Sequence, residues 1–164
     1  MSILFIGCVE SSYILLKELI KNNANISGVI TKCSSKFNSD FVDLAPLCKE
    51  HNIDYYYTEN TKDKGMVDFI KKKKPDIIYC FGWSHLLGNE IINLPKLGVV
   101  GFHPANLPYN KGRHPLIWAL VLGLDNTAST FFMIDEKADN GDIISQEPIN
   151  IDFTDNARDL YDRV

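Results

Sequence analysis

The chain has 164 residues, 45% hydrophobic and 23% charged, which is enough apolar material for one substantial core, and its formal net charge is −4. That acidic balance disfavours a broad electrostatic footprint for nucleic acid or anionic lipid and favours small polar or charged metabolites as partners. Four scattered cysteines, Cys8, Cys33, Cys48 and Cys80, form no C-x-x-C pair, which argues against zinc and dithiol redox sites and for reduced thiols in the cytoplasm.

Met1 leads straight into "SILFIG", a candidate strand, with no basic leader before it and no later run of membrane-spanning length, so a soluble protein is expected. In "SSYILLKELIKNN" the residues Ile14, Leu15, Leu16, Leu19 and Ile20 recur at helical spacing, and "ISGVITKC" reads as a second strand. "FVDLAPLCKEHN" reads as a helix, "DYYYT" as a short aromatic strand, and "GMVDFIKKKK" as a helix stopped by Pro75. The lysines Lys71 to Lys74 fit a solvated last turn facing the negative end of the helix dipole better than a phosphate site. "DIIYCFG" and "GVVGF" are two further strands of buried character.

"RHPLIWALVLG" reads as a helix that accepts Pro115 in its first turn, and "TASTFFMID" and "DIISQEPINI" read as strands joined by the polar loop "EKADNGD". Thr154 is the expected N-cap of a last helix, which reaches Val164 without a C-cap signal. Residues 1–164 are therefore expected to form one domain that ends inside an element. Strands alternating with helices imply an α/β fold, a mostly parallel sheet with helices on both faces, whose ligands collect beyond the carboxyl ends of the strands. "IGCVESS" lacks the G-x-G-x-x-G spacing of a dinucleotide site, and no P-loop is present.

The stretch "GVVGFHPANLPYNKG" ends a hydrophobic strand in a histidine, two prolines and two asparagines. Together with the later "STFFMIDEKADNGDIISQ", it resembles the folate-dependent formyltransferase family, whose members act on methionyl-tRNA, glycinamide ribonucleotide or amino sugars. In that family a strand ends in an Asn-x-His turn followed by Leu-Pro and a glycine, and a second loop supplies Asp-x-Gly before a strand. His103, Pro104, Leu107, Pro108 and Gly112 match the first motif, and Asp139 and Gly141 match the second. The resemblance spans nearly the whole chain. It implies a Rossmann-like formyltransferase fold, an N-terminal catalytic domain truncated at its C-terminus, and 10-formyltetrahydrofolate as formyl donor.

The same resemblance assigns His103 as acid and oxyanion donor and Asp139 as its partner. Gly101 stands where the family carries an asparagine, so that donor's task falls to Asn106, Asn110, a backbone amide or water, or the chain is a weak catalyst or a non-catalytic folate or nucleotide-sugar binder. "CFGWSHLLG" corresponds to a pterin-binding wall formed by Ser84, His85, Leu86 and Leu87. There His85 and Leu87 fall on contact positions, and Trp83 and Leu86 are expected behind them. Asp135, Glu136 and Ala138 lie on the second pterin loop, with the two carboxylates expected to face solvent. Asp142 is expected to be structural, Trp83 and Trp118 are expected in the core, and His114 is left between a phosphate contact and a helix start. The expected acceptor is a nucleotide-linked amino sugar, with a homodimer formed through missing C-terminal material. Methionyl-tRNA and glycinamide ribonucleotide remain the alternatives.

Overall fold

The structure is a computed structural model and describes every residue of the chain except Phe37. The element order is β1 (Ile3–Ile6), α1 (Glu10–Lys21), β2 (Ile26–Thr31), α2 (Ala45–Glu50), β3 (Tyr55–Tyr57), α3 (Lys64–Lys73), β4 (Ile77–Cys80), α4 (Asn89–Ile92), β5 (Val99–His103), α5 (Pro115–Val121), β6 (Asn126–Met133), β7 (Ile143–Asn150) and α6 (Ala157–Arg163). The strands form one seven-stranded sheet in the order β3-β2-β1-β4-β5-β6-β7. Pairs β1–β2, β1–β4 and β2–β3 are parallel, and β6–β7 is antiparallel. The chain divides into two compact units, Met1–Val100 and Gly101–Val164.

In the first unit every residue of β1 is buried. Because successive side chains of a strand point to opposite faces, that pattern requires cover on both faces. Leu16 of α1, Leu47 and Cys48 of α2, Met66 and Ile70 of α3 and Ile91 of α4 supply buried apolar groups around Leu4, Phe5, Ile30 and Ile78. Cys8 and Cys48 behave as core hydrophobes, their thiols pushed up by burial to about 11 and about 12, while Cys33 is exposed.

Strand order reverses between β1 and β4, and Ser12 closes that point. Its buried hydroxyl donates to the Phe81 carbonyl at 2.6 Å and accepts from the Val9 amide at 3.2 Å. A Cβ on Gly7 would lie 2.6 Å from this hydroxyl and one on Gly82 2.4 Å from it, so only glycine allows the approach. The Glu10 amide, at the start of α1, donates to the Asp40 carbonyl at 2.9 Å. Both amides are thus satisfied by protein groups.

Several details depart from the sequence-based expectations. The helix expected from Phe41 begins only at Ala45, because Phe41 bridges to Val9 and the Val42 amide donates to Cys8, making a short strap beside α1. Ile14 is exposed although it belongs to the apolar stripe of α1. Lys71, Lys72 and Lys73 do lie in the last turn of α3 as expected, and Lys71 and Lys73 in addition pair with Glu90 and Asp54. Lys74 ends α3 in a left-handed conformation before Pro75. The last helix is capped by Asn156, not Thr154. Its side chain accepts from Arg158 and Asp159, and Asp159 accepts from the Asn156 amide, a reciprocal box that Thr154 stands too far upstream to form.

The second unit is built on β6 and β7, an antiparallel pair in which β7 forms the exposed edge. Trp118 on α5 is 54% exposed, against the expectation of core packing, because α5 buries Leu116 and Ala119 and turns Trp118 outward. No helix among the described residues is long and apolar enough to cross a membrane.

Candidate active site

β5 ends at His103, and the segment after it is held by side chains of β6 and β7. Thr127 donates to the Pro104 carbonyl at 3.2 Å, Thr130 to Ala105 at 2.6 Å, and Gln146 to Leu107 at 3.0 Å. Gln146 also donates to the Thr130 hydroxyl at 2.9 Å, which joins the last two of these contacts. Each such bond contributes about 1 kcal/mol net. The three polar strand residues therefore have a definite task, which reading "TASTFFMID" and "DIISQEPINI" simply as strands passes over.

The His103 side chain is 8% exposed and has a neighbour at each ring nitrogen. Nε2 lies 3.1 Å from the Asn110 carbonyl, and Nδ1 lies 3.6 Å from Asp139 Oδ1. A carbonyl only accepts, so Nε2 carries a proton and the remaining ring position, Nδ1, faces the carboxylate. Asp139 uses its other oxygen, Oδ2, to accept the Gly112 amide at 2.9 Å. Asn110 and Asp139 both sit at positive φ, 54° and 49°, a region that asparagine and aspartate tolerate better than most residues.

The loop after β6 is organised by Asp135. Its carboxylate accepts from the Asn140 side chain at 2.9 Å and from the Lys137 amide at 2.8 Å, and these bonds, Asn140 first, hold it below the usual carboxylate range. Asn140 in turn accepts from Lys111 at 2.7 Å. Asp135, expected to face solvent, also anchors this loop through its two bonds, while Glu136 and Ala138 are exposed. Asp142 contributes its carbonyl, which accepts from the Met133 amide at 2.8 Å. His114 starts α5 as its N-cap residue in a left-handed conformation.

In the first unit, three of the four wall residues expected to receive a pterin are tied down by side chains. Ser84 accepts from Asn38 at 3.0 Å, His85 Nε2 lies 3.0 Å from Lys32 Nζ, and the Leu86 carbonyl accepts from Thr61 at 3.0 Å. Leu86, expected to pack behind the wall, is 65% exposed, whereas Leu87 is 6% exposed. Leu87 directly precedes the turn into α4 and goes inward with Ile91. Trp83 is half-buried, and its indole N–H is buried without a hydrogen-bond partner among the described residues.

Residues 3–164 match the family described as formyl transferase. The chain belongs to the formyl transferase family. It is 32% identical over 168 residues to methionyl-tRNA formyltransferase of Clostridioides difficile (strain 630), covering 100% of this chain and 54% of that protein. It is 31% identical over 166 residues to the bifunctional polymyxin resistance protein ArnA of Wigglesworthia glossinidia brevipalpis, covering 100% of this chain and 25% of that protein. The chain thus spans about half the length of the first of these relatives and a quarter of the second. Among solved structures, phosphoribosylglycinamide formyltransferase from Bacillus halodurans superposes with a TM-score of 0.85 at 20% identity, over 99% of this chain and 86% of that one. This likeness shows the Rossmann-like formyltransferase fold.

Gly101 stands where the resemblance places an asparagine, and the structure shows how little room a side chain would have there. A Cβ at Gly101 would lie 2.8 Å from two Phe132 ring atoms and 2.9 Å from Ile134 Cγ1. The room an asparagine would take is filled by Phe132. Gly101→Asn is expected to destabilise the chain by about 2 kcal/mol through overpacking, read as a lower thermal midpoint. Adding Phe132→Ala should recover part of that loss. An unchanged midpoint in Gly101→Asn would show that the ring yields freely. Asn106 is half-buried, and among the described residues no hydrogen bond ends on its side chain.

Proposed function

We infer that this chain transfers a formyl group from 10-formyltetrahydrofolate to the amine of a nucleotide-linked amino sugar. The observation that carries the chemistry is the contact between His103 and Asp139, two residues brought together at the end of β5 from distant parts of the chain. The amine attacks the formyl carbon as a neutral nucleophile, the carbonyl oxygen becomes an oxyanion, and the nitrogen–carbon bond to the folate breaks as its nitrogen takes a proton. His103 donates from Nε2 to the oxyanion, in place of its bond to the Asn110 carbonyl. Asp139 holds the ring and accepts the amine's proton through water, and the ring returns a proton to the leaving nitrogen. Because Gly101 has no side chain, Asn106 is assigned the further donor's task, with Asn110, a backbone amide or water as the alternatives.

Two stretches are assigned to the folate, Ser84 to Leu87 on one side of the sequence and Asp135, Glu136 and Ala138 on the other. For the acceptor, the net charge of −4 weighs against a polyanion such as tRNA. A second reading, methionyl-tRNA as acceptor, is favoured by the 32% identity to a protein of that activity.

The discriminating experiment offers the purified chain 10-formyltetrahydrofolate with a panel of nucleotide-linked amino sugars, methionyl-tRNA and glycinamide ribonucleotide, and follows product mass. Formylation of an amino-sugar nucleotide is expected. Turnover on methionyl-tRNA alone would replace the first reading with the second, and folate binding without turnover on any acceptor would make the chain a binder.

A further inference from the structure

We propose that Lys32 is a positioning residue, which fixes the tautomer of His85 and thereby the polarity of the wall at residues 84–87. Lys32 directly follows β2 and is 7% exposed, and its ammonium lies 3.0 Å from His85 Nε2 and 5.3 Å from the centre of the Trp83 ring. No carboxylate is paired with it among the described residues. A buried cation needs compensation, and here it comes from an imidazole lone pair and an indole face. The Trp83 ring also meets His85 edge-on at 5.8 Å, so the three side chains form one cluster.

The chemistry of the pair leaves one arrangement. An ammonium has three donors and no acceptor, so His85 Nε2 must present its lone pair and the ring's proton must sit on Nδ1. Towards whatever faces that nitrogen, His85 is a donor. An imidazole left to itself prefers the opposite tautomer, with its proton on Nε2. A ligand edge that meets the His85 ring nitrogen must therefore bring an acceptor, a carbonyl oxygen or an unprotonated ring nitrogen. The other ties to this wall, Asn38 to Ser84 and Thr61 to the Leu86 carbonyl, fix its path without selecting a polarity.

The tautomer follows from the cluster alone, whereas its consequence for ligand binding rests on the donor site proposed above. The test uses the whole chain labelled with ¹⁵N-histidine, where His85→Gln identifies the signal among His51, His85, His103 and His114. Ring ¹⁵N shifts should show His85 protonated on Nδ1 in the unaltered chain and in Lys32→Arg, and protonated mainly on Nε2 in Lys32→Met. In parallel, calorimetry with 5-formyltetrahydrofolate should show affinity roughly tenfold weaker in Lys32→Met, as loss of a charge-assisted bond predicts.

A proton on Nε2 of His85 in the unaltered chain would overturn the proposal, and this measurement needs no variant to fold. An unchanged tautomer in a folded Lys32→Met would overturn it as well. If the tautomer behaves as stated but the unaltered chain takes up no folate, the donor-site reading fails and the role of Lys32 in setting the ring stands.

Discussion

Replacing His103 by alanine is expected to lower acceptor-dependent release of tetrahydrofolate by about 10³-fold, the combined scale of a lost proton donor and a lost oxyanion contact. The ring is buried and has partners on both nitrogens, so truncation also leaves the Asn110 carbonyl and the Asp139 carboxylate without it. Asp139→Asn separates these effects. An asparagine at that position keeps a carbonyl oxygen able to accept the Gly112 amide and tolerates positive φ, so the turn should hold and the thermal midpoint should stay close to that of the parent chain. What it loses is the charge beside the imidazole, and turnover should fall by about 10²-fold or more. Turnover like that of the parent chain in either variant would remove the pair from the chemistry, whatever the acceptor proves to be.

Gly141→Ala should be among the most destabilising single methyl additions in the chain. A Cβ at Gly141 would lie 1.6 Å from the Met133 carbonyl oxygen and 2.8 Å from its carbon. Both are backbone atoms of the β6 end, which cannot rotate aside as a side chain can. Relief requires opening the turn where the Met133 amide donates to the Asp142 carbonyl. We expect a loss of about 4 kcal/mol, at the upper end for one substitution, and a thermal midpoint lower by roughly 10 °C. Gly88→Ala is the control, since a Cβ there meets nothing within 4 Å at a φ of −76°. Equal midpoints for the two variants would show that the loop adapts freely and that Gly141 is not required for steric reasons.

The succession of strands along the chain was legible from local signals, and His103 was matched with Asp139 only through the resemblance of two short motifs to a known family. Apolar runs bounded by turn residues mark strands, and two short motifs mark loops at strand ends. What escaped depends on groups far apart in the chain. Thr127, Thr130 and Gln146 look like ordinary strand residues until the carbonyls after His103 come within reach. Lys32 gave no sign of its role, because nothing in the sequence says that its cation meets a histidine 53 positions later. Trp118 and Leu86 were misjudged for a related reason. Hydrophobic size predicts burial only when the backbone turns that side inward, and here Leu87 and Ala119 take the inward places. The shortened α2 reflects a tertiary strap that competes with helix formation, and Asn156 displaced Thr154 because a reciprocal cap satisfies two amides where a lone hydroxyl satisfies one.

Ser12 carries a consequence for what the sheet has given up. In related nucleotide-binding architectures the groove at the reversal of strand order admits a diphosphate, whose oxygens lie against bare helix amides. Here a hydroxyl from inside the molecule lies in that groove, flanked by two glycines too crowded to carry anything larger. Ser12→Ala would therefore remove the side-chain bond that ties the first turn of α1 to the segment leaving β4, and should loosen the two central strands at their carboxyl ends.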